Sequence, residues 1–263
     1  MRAQLPGLTL GYDAIGGGRP LLLLHGYPLN RKMWQPQLEL LVDAANIIAP
    51  DLRGHGESDA PAGPYTMDQL ADDALALLDQ LGLAGPAVVG GFSMGGYVAL
   101  ALYRRHPERV AGLILAATKA GADSDAARAN REKSAALAQE KGVDAIVDAM
   151  LPKLLAPHTY AAHPELVAEV RHMILSTPVN GIVGDLLGMK DRADSTDLLP
   201  QIDRPVLVIH GQDDQLIPPT EAEWMAARIP NARLVLVPGA GHLLNLEQPE
   251  EFSAEVRVFL KSI

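Results

Sequence analysis

The segment 91–95, Gly-Phe-Ser-Met-Gly, constrains the fold of this chain more than any other. It follows an apolar run at residues 87–89, which predicts a buried strand, and precedes a helix-forming run at residues 97–102. Glycines two positions before and after a serine allow a turn too tight for side chains at those places. Such a turn lifts Ser93 to the carboxyl end of a sheet, beside the amino end of a helix. The unpaired N–H groups and dipole at that end suit a developing oxyanion, so the pattern predicts a nucleophile elbow.

The chain on both sides of this turn alternates short apolar runs with helical patterns. Residues 20–24 and 110–116 are continuously apolar, as strands buried on both faces of a parallel sheet are. Thr66 and Gln69 have the spacing of a capping box at the start of a helix. Further strand patterns occur at residues 8–12, 47–49, 206–209 and 234–237. This alternation predicts an α/β domain with a mainly parallel sheet and helices on both faces.

The strand pattern is missing between residues 118 and 199, where apolar residues recur at helical spacing instead. We predict a core domain formed by residues 1–118 and 200–263, with residues 119–199 inserted as a helical cap over the strand ends. Two interpretations of the insertion stay open. Its helices either contact the substrate or only pack on the core.

The composition excludes several classes of function. The chain has 263 residues, with 22 Lys and Arg against 32 Asp and Glu, and a net charge of -10. This balance argues against nucleic acid or an anionic membrane surface as a partner. Cysteine is absent, which excludes disulfides, thiolate catalysis and zinc–sulfur sites. The amino terminus lacks an apolar signal core and no run approaches a membrane span, so we expect a cytoplasmic protein.

A base and an acid for Ser93 follow two later predicted strands. A serine hydroxyl is a weak nucleophile unless a histidine removes its proton, and a carboxylate fixes the tautomer of that histidine. His242 lies in a glycine-rich loop after the last strand pattern, and Asp213 and Asp214 follow the strand pattern before it. The chain order serine, aspartate, histidine is the order of elbow enzymes. The sequence therefore predicts a catalytic triad, and the spacing leaves the choice between the two aspartates open.

Motifs along nearly the whole chain outside the insertion resemble those of the α/β-hydrolases. They are His25-Gly26, residues 51–58, the elbow, residues 211–218 and residues 239–242. The resemblance implies an eight-stranded, mainly parallel sheet with a helical cap, and it selects Asp214 as the acid. It also implies an oxyanion hole made by the backbone N–H groups of Tyr27 and Met94. His25 is then expected to shape its loop, and His55 to make a hydrogen bond within its own turn.

The resemblance also narrows the activity. A serine at the elbow separates this chain from haloalkane dehalogenases and epoxide hydrolases, which use an aspartate there. The elbow and the loop 25–29 resemble those of small esterases, enol-lactonases and cofactor-free haloperoxidases or perhydrolases. The activity that these groups imply is hydrolysis of short-chain or aromatic carboxylic esters through an acyl-serine, with no metal or organic cofactor.

Three alternatives stay open beside the esterase. The first is an enol-lactonase or C–C bond hydrolase acting on a ring-derived acid, whose free carboxylate would require a cation in the pocket. The available cations in the insertion are Arg128, Arg131, Lys133, Lys190 and Arg192. The second is a perhydrolase or haloperoxidase-like side activity, and the third is a non-catalytic ligand receptor that keeps the fold.

The insertion and the loops near it would set the size of the substrate. The predicted pocket residues are Pro28, Met150, Leu151, Leu154, Met173, Leu187 and Leu243. Their apolar walls would suit small acyl or aromatic esters. The alternative is that these side chains form the insertion's own core. The expected partner is a small-molecule ester, and the chain is expected to be a monomer or a homodimer.

Overall fold

The computed structural model describes all residues, 1–263, and its centre is one eight-stranded sheet. The strands are β1 (Arg2–Leu5), β2 (Leu8–Gly16), β3 (Pro20–Leu24), β4 (Asn46–Pro50), β5 (Ala87–Phe92), β6 (Val110–Ala116), β7 (Val206–Gly211) and β8 (Ala232–Val237). Their order across the sheet is β1-β2-β4-β3-β5-β6-β7-β8. Strand β2 is antiparallel to both of its neighbours, and every other pair is parallel. The expected eight-stranded, mainly parallel α/β sheet is confirmed.

Helices of very different lengths connect the strands. They are α1 (Gln35–Leu40), α2 (Met67–Gln80), α3 (Met94–Arg105), α4 (Asp125–Lys141), α5 (Asp144–Met150), α6 (Thr159–Ala162), α7 (Pro164–Leu175), α8 (Val179–Lys190), α9 (Pro219–Ala226), α10 (Leu244–Glu247) and α11 (Pro249–Lys261). Short 3-10 helices occur at Arg31–Trp34, Pro107–Arg109, Leu151–Lys153 and Thr196–Gln201. No helix combines the length and the apolar character needed to cross a membrane.

Both faces of the sheet are covered, because consecutive residues of a strand point to opposite sides. In β3, Leu22 and Leu24 belong to an apolar cluster that includes residues of α2 and α3. Leu21 and Leu23 belong to a second cluster, which includes residues of α1 and α11. All four leucines are buried. This two-sided burial is the reason that the central strands are continuously apolar in the sequence.

Local patterns predict seven of the eight strands and the start of α2, but not β1. Thr66 caps α2 as predicted, with its hydroxyl accepting a hydrogen bond from the Gln69 N–H at 3.1 Å. Strand β1 has four residues, and only Ala3 and Leu5 in it are buried. Two buried positions are too few to show the alternation that marks a strand. The strand forms because its backbone pairs antiparallel with β2 at the edge of the sheet.

The chain between β6 and β7 contains helices α4 to α8 and no strand. Helix α8 packs closely on the segment after β4. The Tyr65 N–H donates to the carbonyl oxygen of Gly184 at 2.9 Å, and a Cβ on Gly181 would overlap the carbonyl oxygen of Gly54. These contacts hold the insertion near the carboxyl end of β4. The division into a core and a cap at residues 119 and 199 stays a prediction.

Candidate active site

Ser93 occupies the turn between β5 and α3 with a positive φ of 51°. A residue with a side chain rarely adopts this conformation unless its surroundings enforce it. Here the Ser93 N–H donates to the Ala116 carbonyl at 2.9 Å, and the Thr118 hydroxyl donates to the Ser93 carbonyl at 2.8 Å. A Cβ on Gly91 would overlap the carbonyl oxygen of Gly95. The turn therefore requires glycine at position 91 and holds Ser93 rigidly between strand and helix.

Asp214 and His242 meet at the carboxyl ends of β7 and β8. Nδ1 of His242 lies 2.7 Å from Oδ2 of Asp214, and both residues are buried. Asp213 is exposed. With its Nδ1–H donating to a carboxylate, the neutral imidazole keeps Nε2 as an acceptor, which is the tautomer that a general base requires. Of the two aspartates that the sequence offered, the structure brings Asp214 to His242.

Four donors surround the carboxylate of Asp214. Its Oδ1 accepts from the N–H groups of Leu216 and Ile217 at 2.8 and 3.0 Å. Its Oδ2 lies 3.0 Å from Nε2 of His210, in addition to the bond from His242. Burial alone would raise the pKa of Asp214, but the charge of His242 and the hydrogen bonds outweigh burial and hold the pKa well below its usual value. Asp214 is therefore ionised at neutral pH.

His210 is a contact of the site that the sequence reasoning missed. It lies in β7 and is fully buried, and its Nε2 is also 2.9 Å from the carbonyl oxygen of Ile217. Its Nδ1 is buried without a hydrogen-bond partner. Burial of a histidine is uncommon unless its ring is engaged. In the sequence, the feature that could have indicated this contact is a polar residue near the end of an otherwise apolar strand, four residues before Asp214.

His242 faces the elbow through Phe92, the residue before Ser93. The two rings meet edge-on with their centroids 5.1 Å apart. Nε2 of His242 is buried and has no hydrogen-bond partner, so no hydrogen bond joins it to Ser93 in this structure. Nε2 is thus available beside the turn that holds Ser93.

Neither of the two N–H groups expected to form the oxyanion hole donates a hydrogen bond to a backbone carbonyl. Met94 begins α3, so its N–H has no acceptor within the helix. The Tyr27 N–H donates to no other backbone group. His25 fixes the Tyr27 loop, with Nε2 accepting from the Leu52 N–H at 2.9 Å and Nδ1 lying 3.1 Å from the Gly26 carbonyl oxygen. Burial lowers the pKa of His25 well below its usual value, so its ring is neutral.

A cleft of about 600 Å³ opens at Ser93, between the strand ends and helices α4, α5 and α8. Tyr27 and Tyr97 line the cleft beside the serine. Of the predicted pocket residues, Met150 lines it. The insertion therefore contributes walls to the cleft.

The other six predicted pocket residues do not line this cleft. Leu154, Met173 and Leu243 are buried in the second apolar cluster, Leu151 packs against that cluster, and Leu187 packs against the first. Pro28 is buried, and its carbonyl oxygen accepts from the Thr177 hydroxyl at 3.0 Å. The helical spacing that marked these side chains is the spacing that packs helices on the core, so it does not distinguish lining residues from core residues.

The cleft also contains cations. Two of the five cations considered from the sequence, Arg131 and Lys133, line it. The other three lie outside the cleft and form ion pairs: Arg128 with Asp191 at 2.7 Å, Lys190 with Glu132 at 3.0 Å and Arg192 with Asp123 at 2.6 Å. Arg131 pairs with Asp123 as well, at 2.6 Å. Lys119 and Lys153 line the cleft as well. The sequence reasoning missed both, because a single lysine next to a strand end or in a turn carries no periodic signal.

A second buried histidine–carboxylate pair joins the core to the insertion. Nε2 of His55 lies 2.7 Å from Oδ2 of Asp185 in α8, and both side chains are fully buried. The expectation that His55 bonds within its own turn is corrected, because its ring bonds a residue 130 positions away. Burial lowers the pKa of His55, but the carboxylates of Asp185 and Asp51 outweigh it and raise the pKa. No three His, Asp or Glu side chains in the chain are arranged to hold a metal ion.

Comparison with known proteins identifies the family to which this fold belongs. The profile of the family described as the alpha/beta hydrolase fold matches residues 19–249. A 3-oxoadipate enol-lactonase from Acinetobacter baylyi is 32% identical over 256 residues, which cover 97% of this chain and 94% of the relative. A malate-bound thermophilic esterase from Thermogutta terrifontis is 44% identical with a TM-score of 0.97, covering 100% of this chain and 98% of its own. The enol-lactonase from Burkholderia xenovorans is 32% identical with a TM-score of 0.91, covering 99% and 100%. The chain therefore belongs to the α/β-hydrolase family, in its group of small esterases and enol-lactonases, and is a hydrolase.

Proposed function

We propose that this protein hydrolyses carboxylic esters through an acyl-serine intermediate, with Ser93 as nucleophile, His242 as base and Asp214 as the acid that supports it. The observation that carries the proposal is the His242–Asp214 hydrogen bond of 2.7 Å at the strand ends beside a serine held at positive φ. The esterase and enol-lactonase relatives support the same class of reaction. Esterases and lactonases both break the bond between an acyl carbon and its alkoxy oxygen.

In the first half of the reaction, the Ser93 hydroxyl attacks the ester carbonyl while Nε2 of His242 takes its proton. Catalytic hydrogen bonds often tighten only when substrate is bound, and the proposal requires this for Ser93 and His242. His242 then gives the proton to the leaving alcohol, and the acyl group stays on Ser93. In the second half, water gives a proton to His242 and attacks the acyl carbon, which releases the acid and restores Ser93.

The surroundings of Asp214 supply the electrostatic part of this mechanism. When His242 accepts a proton it becomes an imidazolium, and a fixed negative charge beside Nδ1 stabilises that state. Because several hydrogen bonds keep the pKa of Asp214 well below its usual value, the carboxylate does not take the proton itself. The pair thus favours proton uptake at Nε2, where the serine proton arrives.

The oxyanion of each tetrahedral intermediate would lie between the backbone N–H groups of Tyr27 and Met94. Removing one such donor typically lowers kcat by about 10²- to 10³-fold in serine hydrolases. Backbone donors cannot be deleted by side-chain changes, so Met94→Ala is expected to leave the oxyanion hole in place. The first turn of α3 adds the positive end of its dipole.

The test is a panel of p-nitrophenyl esters from acetate to palmitate, assayed with wild type, Ser93→Ala and the matched control Ser262→Ala. We expect turnover of short esters that Ser93→Ala abolishes and Ser262→Ala keeps, because Ser262 lies at the carboxyl end of the chain, after α11. Labelling of Ser93 by an organophosphate is the second readout. A folded protein that hydrolyses no ester and whose Ser93 resists labelling would contradict the proposal. Labelling without ester turnover would keep the triad and move the substrate to a lactone or a C–C bond.

A further inference from the structure

The charges that line the cleft are opposite in sign to the charge of the whole chain. The protein has a net charge of -10. The charged side chains of the cleft are instead four cations and one anion: Lys119, Arg131, Lys133, Lys153 and Asp123. Three of the seven lysines of the chain thus border one cleft, the cleft that contains Ser93. A local reversal of this kind selects for ligands of the opposite charge.

The single anion of the cleft is fully occupied by arginines. Oδ2 of Asp123 lies 2.6 Å from Nε of Arg131, and Oδ1 lies 2.6 Å from a terminal nitrogen of Arg192. Both oxygens are engaged, so Asp123 leaves no charge to neutralise the lysines. Arg131 uses only its Nε in this contact, which leaves its two terminal nitrogens without a hydrogen bond inside the protein. A planar fork of free N–H groups matches the geometry of a carboxylate.

The three lysines of the cleft have no carboxylate partner. Lys190 is the lysine that forms ion pairs in this structure, and it lies outside the cleft. Among the lysines of the cleft, Lys119 is half-buried, whereas Lys133 and Lys153 are exposed. A substrate that fills the cleft would cover Lys119 more completely than the two exposed lysines, and covering an unpaired charge costs free energy unless an anion pairs with it. Lys119 is therefore the cation of the cleft with the most to gain from an anionic ligand.

Lys119 is the chain neighbour of a residue that contacts the nucleophile. It follows Thr118, whose hydroxyl donates to the carbonyl oxygen of Ser93 at 2.8 Å. The segment leaving β6 thus contacts the elbow with one residue and lines the cleft with the next. Both residues border the same cleft of about 600 Å³, a volume that holds one small-molecule substrate.

We infer that the preferred substrates are esters or lactones that carry a second, ionised carboxylate, and that Lys119 and Arg131 bind this group. This inference rests on the proposed function and names its substrate class. Lys133 and Lys153 contribute at the exposed rim, where they attract the anion over a longer range. Hydrolysis follows the acyl-serine steps given above, and the second carboxylate takes no part in bond making.

The experiment compares two esters of the same shape and different charge. Monomethyl succinate carries the second carboxylate, and in methyl 4-methylpentanoate an isopropyl group replaces it. We expect a higher kcat/KM for the anionic ester in wild type. Lys119→Met and Arg131→Met are each expected to lower the ratio of the two kcat/KM values by about tenfold, the usual loss for a hydrogen bond to a charged group. Lys141→Met, which removes an exposed lysine outside the cleft, is the matched control and should leave the ratio unchanged.

Two further measurements separate this inference from the proposed function. Lys119→Arg should restore most of the ratio lost in Lys119→Met, because it returns the positive charge. Calorimetry of monomethyl succinate with Ser93→Ala measures binding without chemistry, and we expect about tenfold weaker binding in Ser93→Ala with Lys119→Met. A ratio at or below one in wild type, or equal binding with and without Lys119, would overturn the inference even if neutral esters are hydrolysed. Binding that depends on Lys119 in a protein that hydrolyses no ester would keep the anion site and reject the esterase.

Discussion

The molecule contains two buried histidine–carboxylate pairs with the same separation and different surroundings. The distance from ring nitrogen to carboxylate oxygen is 2.7 Å in both His242–Asp214 and His55–Asp185. Asp214 has four donors around its two oxygens. Asp185 has one, and its Oδ1 is buried without a partner. A short histidine–carboxylate bond alone therefore does not identify a catalytic pair.

Position in the fold separates the two pairs. His242 and Asp214 follow adjacent strands at the end of the sheet where ligands of α/β proteins bind, next to the turn that holds Ser93. His55 lies in the loop after β4 and pairs with a helix of the insertion, and neither residue lines the cleft. We propose the first pair for proton transfer, whereas the second joins a helix of the insertion to the core. Removing the carboxylate of the first pair should therefore mainly lower kcat, and removing that of the second should mainly lower the free energy of unfolding.

The largest effect is expected for Asp214→Asn. Asparagine keeps an oxygen for the Leu216 and Ile217 N–H groups, but it cannot stabilise the imidazolium of His242. We expect kcat for short esters to fall by about 10³- to 10⁴-fold, and the free energy of unfolding to fall by about 1 to 2 kcal/mol because the buried donors lose a charged acceptor. Steady-state kinetics and urea denaturation measure the two quantities. A variant that unfolds easily and keeps its kcat would show that this pair is structural.

Asp185→Leu should show the reverse behaviour. The substitution leaves a fully buried imidazole without its acceptor, and breaking a buried pair in this way costs about 3 kcal/mol of unfolding free energy. The control is Asp191→Asn, which removes an exposed carboxylate and should cost less than about 1 kcal/mol. The kcat of the folded variant should fall far less than that of Asp214→Asn. A loss of kcat as large as that of Asp214→Asn, in a folded protein, would assign the second pair to catalysis.

The pH dependence of stability should also distinguish the second pair. Asp185 and Asp51 raise the folded-state pKa of His55 above its ordinary value of 6.5, against the effect of burial. The stabilisation is therefore fully present below pH 6.5 and is lost as pH rises through the folded-state pKa of His55. Asp185→Asn keeps an acceptor and removes the nearest charge. The advantage in unfolding free energy of wild type over Asp185→Asn should shrink with rising pH, by at most about 1.4 kcal/mol per pH unit. A difference that stays constant from pH 6 to pH 9 would show that His55 is neutral in the pair.

The smallest effect is expected at His210, whose Nε2 contacts the Asp214 carboxylate of the first pair. His210→Phe keeps a ring in β7 but removes the donor near Oδ2 of Asp214. We expect kcat/KM for short esters to fall by about fivefold, the usual worth of one hydrogen bond. His210→Gln offers a side-chain N–H in its place and should recover part of the loss. Equal activity in wild type and His210→Phe would show that the other three donors are sufficient.

The sequence predicts the parts of this molecule that local patterns encode. The central strands are apolar because both of their faces are buried. Gly91 and Gly95 mark a turn so tight that a Cβ on Gly91 would overlap the carbonyl oxygen of Gly95. Asp214 and His242 stand at strand ends, which made them candidates before any distance was known. Their pairing needed the structure, because spacing alone left Asp213 equally available.

The parts that the sequence did not predict depend on contacts between distant segments. His55 and Asp185 lie 130 positions apart, and nothing in either local pattern points to the other. The apolar residues of the insertion have one helical spacing whether they pack on the core or line the cleft, so only Met150 among the predicted lining residues lies in the cleft. Lys119 was missed for a related reason, since neither its place in the cleft nor its lack of a carboxylate partner can be read from the sequence.

The central claim, a covalent acyl-serine at Ser93, is tested most directly by trapping that intermediate. Wild type is mixed with p-nitrophenyl acetate, stopped in acid within the first turnovers, and its peptides are analysed by mass spectrometry. We predict one acetyl group on the peptide that contains Ser93, absent in Ser93→Ala and persisting longer in Asp214→Asn. Release of p-nitrophenol with no acetyl group on Ser93, or with the acetyl group on another residue, would contradict the mechanism.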